Sequence, residues 1–194
     1  LTEVRKSAKS EIKLLNLFKA CSKMMLSIRY LPQPVIACVD GIAAAAGCQL
    51  VASCDLAFAS NNSYFKTPGV NIGLFCSTPM VAVSRNISRK KIMEMLLTGE
   101  KLSASEAVQF GLINKCVPLE RLHADTLNLA KLIASKPTST VKIGKEAFYK
   151  QVEMSLDDAY NYTSEVMAIN MMEIDAHEGI SAFLDKRIPS WNEK

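Results

Sequence analysis

Backbone N–H groups, more than side chains, offer chemistry in residues 34–60, PVIACVDGIAAAAGCQLVASCDLAFAS. Residues 43–47 carry almost no side-chain bulk, so a ligand can lie directly on their peptide N–H groups. Residues 48–53 are typical of a short helix, and a helix that begins near Ala46 presents unpaired N–H groups and the positive end of its dipole. Such a helix end stabilises an oxyanion. Close packing of two chain segments is the alternative explanation for the same small residues.

Carboxylates and histidines provide little further chemistry. Asp40 and Asp55 flank the small residues, but each occupies a position typical of a turn or a cap. His123 and His177 are far apart in the chain and are expected at the surface. This distribution favours neither a metal cluster nor a Ser-His-Asp triad, so we expect no metal.

The composition indicates the class of protein. With 194 residues, of which 49% are hydrophobic, the chain can bury one core. The net charge of +4 is spread along the chain without the basic stripe of a nucleic-acid binder, and no long apolar span predicts a membrane helix. The six cysteines form no C-x-x-C pair, so we interpret them as reduced thiols of an intracellular protein. We therefore expect neither nucleic acid nor a membrane as a partner.

Short strands alternate with helices around the small residues. The pattern predicts strands over residues 35–39, 56–60 and 113–117, with an extended segment over 64–66 that leads into a Gly/Pro loop. An amphipathic helix is predicted over about residues 9–29. Ser77, Ser88 and Ser103 are predicted to start helices with hydroxyl caps. The chain is predicted to be helical from residue 119 on, with a last helix over 178–186.

These motifs, in this order, resemble the crotonase superfamily, also called the enoyl-CoA hydratase/isomerase family. Residues 34–60 resemble its central signature, FKTPGVNIGL its second active-site loop, MEMLLTGEKLSASEAVQFGLINKCV the segment that follows, and EGISAFLDKRIPSW its C-terminal helix. Within the family, the pattern is most similar to the enoyl-CoA hydratase domain-containing mitochondrial proteins and their bacterial relatives.

The resemblance implies an α/β fold, the crotonase-like ββα spiral with a helical C-terminal region. The spiral core would occupy about residues 1–118 and the helical region about 119–194 of one crotonase-like domain. The first turns of the spiral, with one of the two oxyanion-hole donors, are expected to precede Leu1. The family also implies a homotrimer or a dimer of trimers.

The resemblance also implies a site. Ala46 would supply an oxyanion-hole N–H, provided that its φ is negative. Gln49 and Gly69 occupy the positions of the two glutamates that hydratases of the family use as acid and base. The expected substrate-binding residues are Ile42, Ala45, Ala46, Pro68 and Leu74, with Lys186 near the nucleotide of coenzyme A. Coenzyme A would enter only as part of the thioester substrate, with no other cofactor.

Both substitutions affect the expected reaction. Gln49 cannot exchange a proton near neutral pH, and Gly69 has no side chain, so hydration is expected to be very weak. Glycine at position 69 is expected to leave space for water or for a bulkier acyl chain. Three functions stay open: a lyase-like enzyme of fatty acid metabolism that acts through enolate stabilisation, an acyl-CoA-binding regulatory protein without catalysis, and a structural oligomer partner. The expected location is the mitochondrial matrix in a eukaryote and the cytoplasm in a bacterium.

Overall fold

A computed structural model of the chain describes residues 2–7 and 10–192. The helices are α1 (Thr2–Ser7), α2 (Glu11–Tyr30), α3 (Ala46–Ser53), α4 (Ser77–Val83), α5 (Arg89–Thr98), α6 (Ala104–Gln109), α7 (Leu119–Ala134), α8 (Thr138–Gln151), α9 (Leu156–Met171) and α10 (Ile174–Leu184). The strands are β1 (Ile36–Val39), β2 (Ile42–Ala44), β3 (Leu56–Ser60), β4 (Tyr64–Lys66), β5 (Leu102–Ser103) and β6 (Lys115–Val117), and Pro68–Ile72 forms a 3-10 helix.

The described residues form two compact units. One falls within residues 1–29 and 35–126, and the other within residues 30–34 and 127–194. All six strands belong to the first unit, whereas helices α8 to α10 belong to the second. The mixture of helices and small sheets confirms the predicted α/β class.

Two three-stranded sheets carry the first unit. The first sheet has the order β1-β3-β6 with parallel neighbours, and the second has the order β2-β4-β5, in which only the β4–β5 pair is antiparallel. The chain crosses from the first sheet to the second at Asp40-Gly41, where Gly41 has a φ of 88° that a glycine adopts without strain. Residues 42–44 then form β2, which pairs with β4.

A core of small and branched residues lies beneath the sheets. Cys48, Phe65, Val83 and Leu102 are among its fully enclosed members. Because Cys48 belongs to α3 and Phe65 to β4, burial of these side chains fixes the helix next to the strand that leads into the Gly/Pro loop. The core thereby positions the two segments that sequence analysis assigned to a site.

Caps set several helix boundaries as predicted. Ser88 accepts the N–H of Lys91 at the start of α5, and Ser103 with Glu106 forms a complete capping box at the start of α6. The cap predicted at Ser77 is wrong, because Cys76 precedes the first turn of α4 and no side chain caps it. The Ser77 hydroxyl instead donates to the carbonyl of Phe75.

The predicted bounds of the last helix are also wrong. Helix α10 begins at Ile174, four residues before Glu178, and ends at Leu184. Buried Asp175 stabilises its first turn and accepts the N–H of Asn192. Lys186 therefore follows the helix, in a left-handed conformation with a φ of 54°.

Candidate active site

Helix α3 begins with a strained residue. Ala45 precedes the helix with φ 49° and ψ −113°, and its N–H donates to the carbonyl of Lys66 at 2.9 Å. A non-glycine residue held in such a sparsely populated region costs about 1–3 kcal/mol. The hydrogen bond to the end of β4 holds this turn in place. As a result, the start of α3 lies beside the entrance to the Gly/Pro loop.

Ala46 is the first residue of α3 and is exposed. Among the described residues, only Ala45 and Lys186 combine a side chain with a positive φ, so the condition set for Ala46, a negative φ, is met. No described residue accepts the N–H of Ala46, as expected for the first turn of a helix. An exposed N–H at the positive end of a helix dipole can donate to an oxyanion or a carbonyl. The assignment of Ala46 as an oxyanion-hole donor stays a prediction.

Gln49 lies one turn further along α3 and is only 5% exposed. Its backbone N–H donates to the Ala45 carbonyl, but its side-chain amide makes no hydrogen bond with a described residue. Residues three or four apart share a helix face, and helical side chains tilt toward the N-terminus. Gln49 therefore shares a helix face with Ala45 and Ala46.

Gly69 is buried within the 3-10 helix and is tightly enclosed. Its N–H donates to the Cys76 sulfur at 3.3 Å, and its carbonyl accepts the N–H of Leu74 at 2.9 Å. A Cβ atom at position 69 would lie 2.6 Å from the Leu74 carbonyl oxygen and 2.9 Å from the Cys76 sulfur. The expectation that glycine leaves space for water or a bulkier acyl chain is wrong, because the loop itself fills that volume.

A buried hydroxyl near this loop was missed by sequence analysis. The Thr67 hydroxyl is fully enclosed and has no hydrogen-bond partner among the described residues. Burial, with Cys76 nearby as a further cause, raises the pKa of the Cys48 thiol to about 12. Cys48 is therefore a neutral core thiol at physiological pH. No sequence pattern indicates the enclosure of Thr67, since it depends on how loop 67–76 packs.

The two flanking aspartates have structural partners. Asp40 accepts the hydroxyl of Ser60 at 3.1 Å, and Asp55 accepts the N–H of Val35 at 2.6 Å. These contacts agree with their interpretation as turn residues. His123 and His177 are both exposed, as predicted. No group of three or more His, Cys, Asp or Glu side chains that could hold a metal ion occurs in the described part of the chain.

The remaining predicted binding residues differ in exposure. Ile42 is 59% exposed and Leu74 is 49% exposed, which is high for apolar side chains, while Pro68 is partly buried. These three belong to the same unit as Ala45 and Ala46. Lys186 belongs to the second unit, where it is exposed. Five of the six predicted binding residues therefore share one unit, and their roles stay predictions.

Comparison with known proteins decides the family. The family model described as enoyl-CoA hydratase/isomerase matches residues 5–194. The chain belongs to this family. The mitochondrial enoyl-CoA hydratase domain-containing protein 3 of Homo sapiens is 54% identical over 175 residues, which are 90% of this chain and 58% of the relative. The protein of the same name from Mus musculus is 53% identical over the same shares. The chain thus spans less than two thirds of the length of these relatives.

Solved structures agree with this assignment. The crystal structure of human enoyl-CoA hydratase domain-containing protein 3 matches with a TM-score of 0.95 at 49% identity, over 98% of this chain and 76% of the other. The crystal structure of an enoyl-CoA hydratase from Mycobacterium smegmatis matches with a TM-score of 0.93 at 49% identity, over 94% of this chain and 71% of the other. The predicted crotonase fold is confirmed.

Proposed function

We propose that the protein containing this chain binds a fatty acyl-CoA thioester, with the thioester carbonyl oxygen on the N–H of Ala46. The observation that carries the proposal is that Ala46, an exposed residue at the start of α3, has an N–H without a described acceptor. A thioester carbonyl gains negative charge whenever an enolate or an oxyanion forms from it. One preorganised donor at that oxygen contributes about 2.7–4 kcal/mol of transition-state stabilisation.

The surroundings of Ala46 suit an acyl chain. Ile42, Ala45, Pro68 and Leu74 provide apolar surface in the same unit. Lys186 of a neighbouring subunit would contact the anionic nucleotide of coenzyme A, which agrees with its exposure and charge. Coenzyme A is then part of the substrate, and the proposal requires no further cofactor.

Hydration by this site would be very weak. Gln49 stands at one glutamate position and has no proton to exchange near neutral pH, while Gly69 stands at the other and is enclosed by Leu74 and Cys76. Each positioned acid or base contributes roughly 10²–10⁴ in rate. The site therefore suits enolate stabilisation better than addition of water. The relatives carry the name enoyl-CoA hydratase, but the chain's own residues favour another outcome.

A second candidate function is binding without turnover. The enclosure of Gly69 favours it, because neither a carboxylate nor a water molecule fits between that residue and Cys76. A regulatory acyl-CoA-binding protein needs only the Ala46 donor and the apolar surface. Measured turnover of any acyl-CoA would separate the two functions.

An oligomer is the proposed state, as a homotrimer or a dimer of trimers. Many large apolar side chains of the second unit are exposed, and they include Leu156, Met172, Phe183, Leu184 and Ile188. Contact with another subunit would remove this apolar surface from water. None of the described helices is long and apolar enough to cross a membrane. By analogy with its mitochondrial relatives we propose the mitochondrial matrix in a eukaryote, and the cytoplasm in a bacterium.

The test removes one N–H without removing a side chain. Proline at position 46 lacks the N–H and is tolerated at the first position of a helix. Its ring would meet the Cβ of Ala45, so the test variant is Ala45→Gly/Ala46→Pro and the matched control is Ala45→Gly alone. Calorimetry on the complete protein should show acyl-CoA binding by wild type and control. Binding by the double variant should be about five- to tenfold weaker, as one hydrogen bond is lost.

Two results would contradict the proposal in different ways. Absence of heat with every acyl-CoA, in wild type as well as in the variants, would exclude acyl-CoA binding. Equal affinity of the double variant and its control would instead show that the carbonyl oxygen does not contact Ala46. A thermal melt of both variants checks that the helix is retained.

A further inference from the structure

The chain reverses direction at Lys186, directly after α10. The N–H of Lys186 donates to the Phe183 carbonyl at 3.3 Å. The N–H of Arg187 donates to the Ala182 carbonyl at 2.9 Å, which completes the hydrogen-bond pattern of a Schellman motif. The left-handed residue of this motif is usually glycine, but here Lys186 holds it with a φ of 54°. A side chain kept at such a position is a candidate for a functional role.

Glu178 fixes the residue that follows this reversal. Its two carboxylate oxygens accept the guanidinium of Arg187 at 2.7 and 2.8 Å, and one of them also accepts the N–H of Ser190 at 2.8 Å. A bidentate pair of this kind holds both partners in one orientation. The bonds from Arg187 and Ser190 lower the pKa of Glu178 to about 2, so the carboxylate is ionised at physiological pH.

Further hydrogen bonds extend this attachment to residue 192. The indole N–H of Trp191 donates to the Ser135 carbonyl at 3.0 Å, and the N–H of Asn192 donates to Asp175 at 2.8 Å. The segment 187–192 therefore returns along α10, within the second unit. Only Lys186, at the start of this segment, has a charged side chain that is exposed and forms no ion pair with a described residue.

We infer that Glu178 is a positioning residue, which holds Lys186 where its ammonium pairs with a phosphate of the coenzyme A nucleotide. This inference rests on the proposed binding of acyl-CoA, in which Lys186 serves a ligand of a neighbouring subunit. Glu178 acts through the backbone next to Lys186 and not on the ligand. A turn that is fixed before binding lessens the entropy lost when the lysine engages the phosphate.

The sign of the effect separates positioning from simple electrostatics. Glu178→Gln removes a negative charge close to the proposed phosphate site, and charge alone would then strengthen the binding of an anionic ligand. Loss of positioning predicts weaker binding instead. The experiment therefore uses two ligands with the same acyl thioester, butyryl-CoA and butyryl-pantetheine, of which only the first has the nucleotide.

Both ligands are titrated into the complete protein by calorimetry. Lys186→Ala should bind butyryl-CoA about fivefold more weakly than wild type, because one ion pair at the surface is lost. Glu178→Gln should weaken the same ligand about threefold, since the lysine remains but is no longer held in place. Neither substitution should change the affinity for butyryl-pantetheine, and this unchanged binding also shows that the variants fold.

Two further variants complete the design. Glu165→Gln is the matched control, because Glu165 is an exposed residue of α9 without an ion pair to a described residue, and its replacement changes the net charge equally. It should bind both ligands as wild type does. The double variant Glu178→Gln/Lys186→Ala should bind butyryl-CoA with the affinity of Lys186→Ala alone, since no lysine is left to position.

The outcomes separate this inference from the proposed function. Butyryl-CoA binding by Glu178→Gln that equals wild type would overturn the inference, as would an equal loss for both ligands or effects that multiply in the double variant. If Lys186→Ala binds butyryl-CoA as tightly as wild type, the positioning role fails while acyl-CoA binding stands. If neither ligand binds wild type, acyl-CoA binding itself fails, and this inference with it.

Discussion

The two positions that correspond to catalytic glutamates in the family differ in how the chain has filled them. At Gln49 the side chain keeps nearly the size of a glutamate, and the residue is only 5% exposed. At Gly69 the backbone polar groups are paired with Cys76 and Leu74, and no room is left for even a Cβ atom. Position 49 keeps a side chain that can hydrogen-bond to a ligand, whereas position 69 is part of the packed interior.

The two substitutions therefore differ in how far their effects extend. At position 49 only the side-chain chemistry changes, whereas at position 69 the packing of the neighbouring loop is involved. Replacement of a carboxylate by a carboxamide changes proton chemistry and little else. Replacement of a side chain by hydrogen allows the following loop to close onto the backbone, and the closed loop then excludes the original side chain. Restoring the glutamates should therefore destabilise the protein to very different extents at the two positions.

The largest expected effect is on Gly69→Glu. The new Cβ would lie 2.6 Å from a backbone oxygen, and a carboxylate would be forced among buried groups. We expect the free energy of unfolding to fall by more than about 3 kcal/mol. Chemical denaturation of the variant and wild type measures the change.

Two control variants accompany this measurement. Gln49→Glu should lower the free energy of unfolding much less than Gly69→Glu, because size is conserved. Gly144→Ala adds a Cβ on α8 where no other atom lies within 4 Å, and should stabilise the protein by about 0.5–1 kcal/mol. A Gly69→Glu protein as stable as wild type would show that the loop opens readily, and the contrast between the two positions would disappear.

Sequence analysis predicted much of this architecture because local chemistry determined it. The strand over Leu56–Ser60, the caps at Ser88 and Ser103, and the segment over Tyr64–Lys66 follow from side-chain pattern and turn residues. The start of α3 at Ala46 follows from the small residues that precede it. Each of these depends on neighbours in the chain, which a sequence displays.

The failures arose where distant residues meet. The closure of the loop at Gly69 depends on Cys76, seven residues away, and the absence of a side-chain cap on α4 depends on how the same loop turns. The buried hydroxyl of Thr67 has no hydrogen-bond partner among the described residues, and this depends on how distant segments pack around it. No periodicity or motif encodes such an absence.

A loss of stability of intermediate size is expected when the capping box at the start of α6 is removed. Strand β5 pairs with β4, which leads into the loop, and β5 ends at Ser103. Hydrogen bonds from Ser103 lower the pKa of Glu106 below its ordinary value. Ser103→Ala should lower the free energy of unfolding by about 1.5 kcal/mol at pH 7, since the capped helix start loses its side-chain partners.

The same variant has a defined pH dependence. A carboxyl group with a lowered pKa in the folded state stabilises the protein above its ordinary pKa, and this stabilisation is lost as the pH falls through the folded value. The difference between wild type and Ser103→Ala should therefore shrink below about pH 4. Ser88→Ala is the control, because the third residue of its helix is Lys91 and not an acid. A Ser103→Ala difference that is as constant with pH as that of Ser88→Ala would exclude the contribution of Glu106.

The smallest change in stability is expected from substitutions in the turn at the start of α3. Ala45 holds φ 49° and ψ −113°, which disfavours any residue with a Cβ, whereas Ala46 has an ordinary negative φ. Ala45→Gly relieves about 1–3 kcal/mol of strain and loses roughly 0.4–1 kcal/mol through the greater freedom of glycine in the unfolded chain. The net change should be a stabilisation of roughly 1 kcal/mol. Ala46→Gly should destabilise the protein by a similar amount, because it relieves no strain and adds only the greater freedom of glycine in the unfolded chain. If both variants destabilise, the strain does not lie at Ala45, and the rigid turn that presents the Ala46 N–H needs another cause.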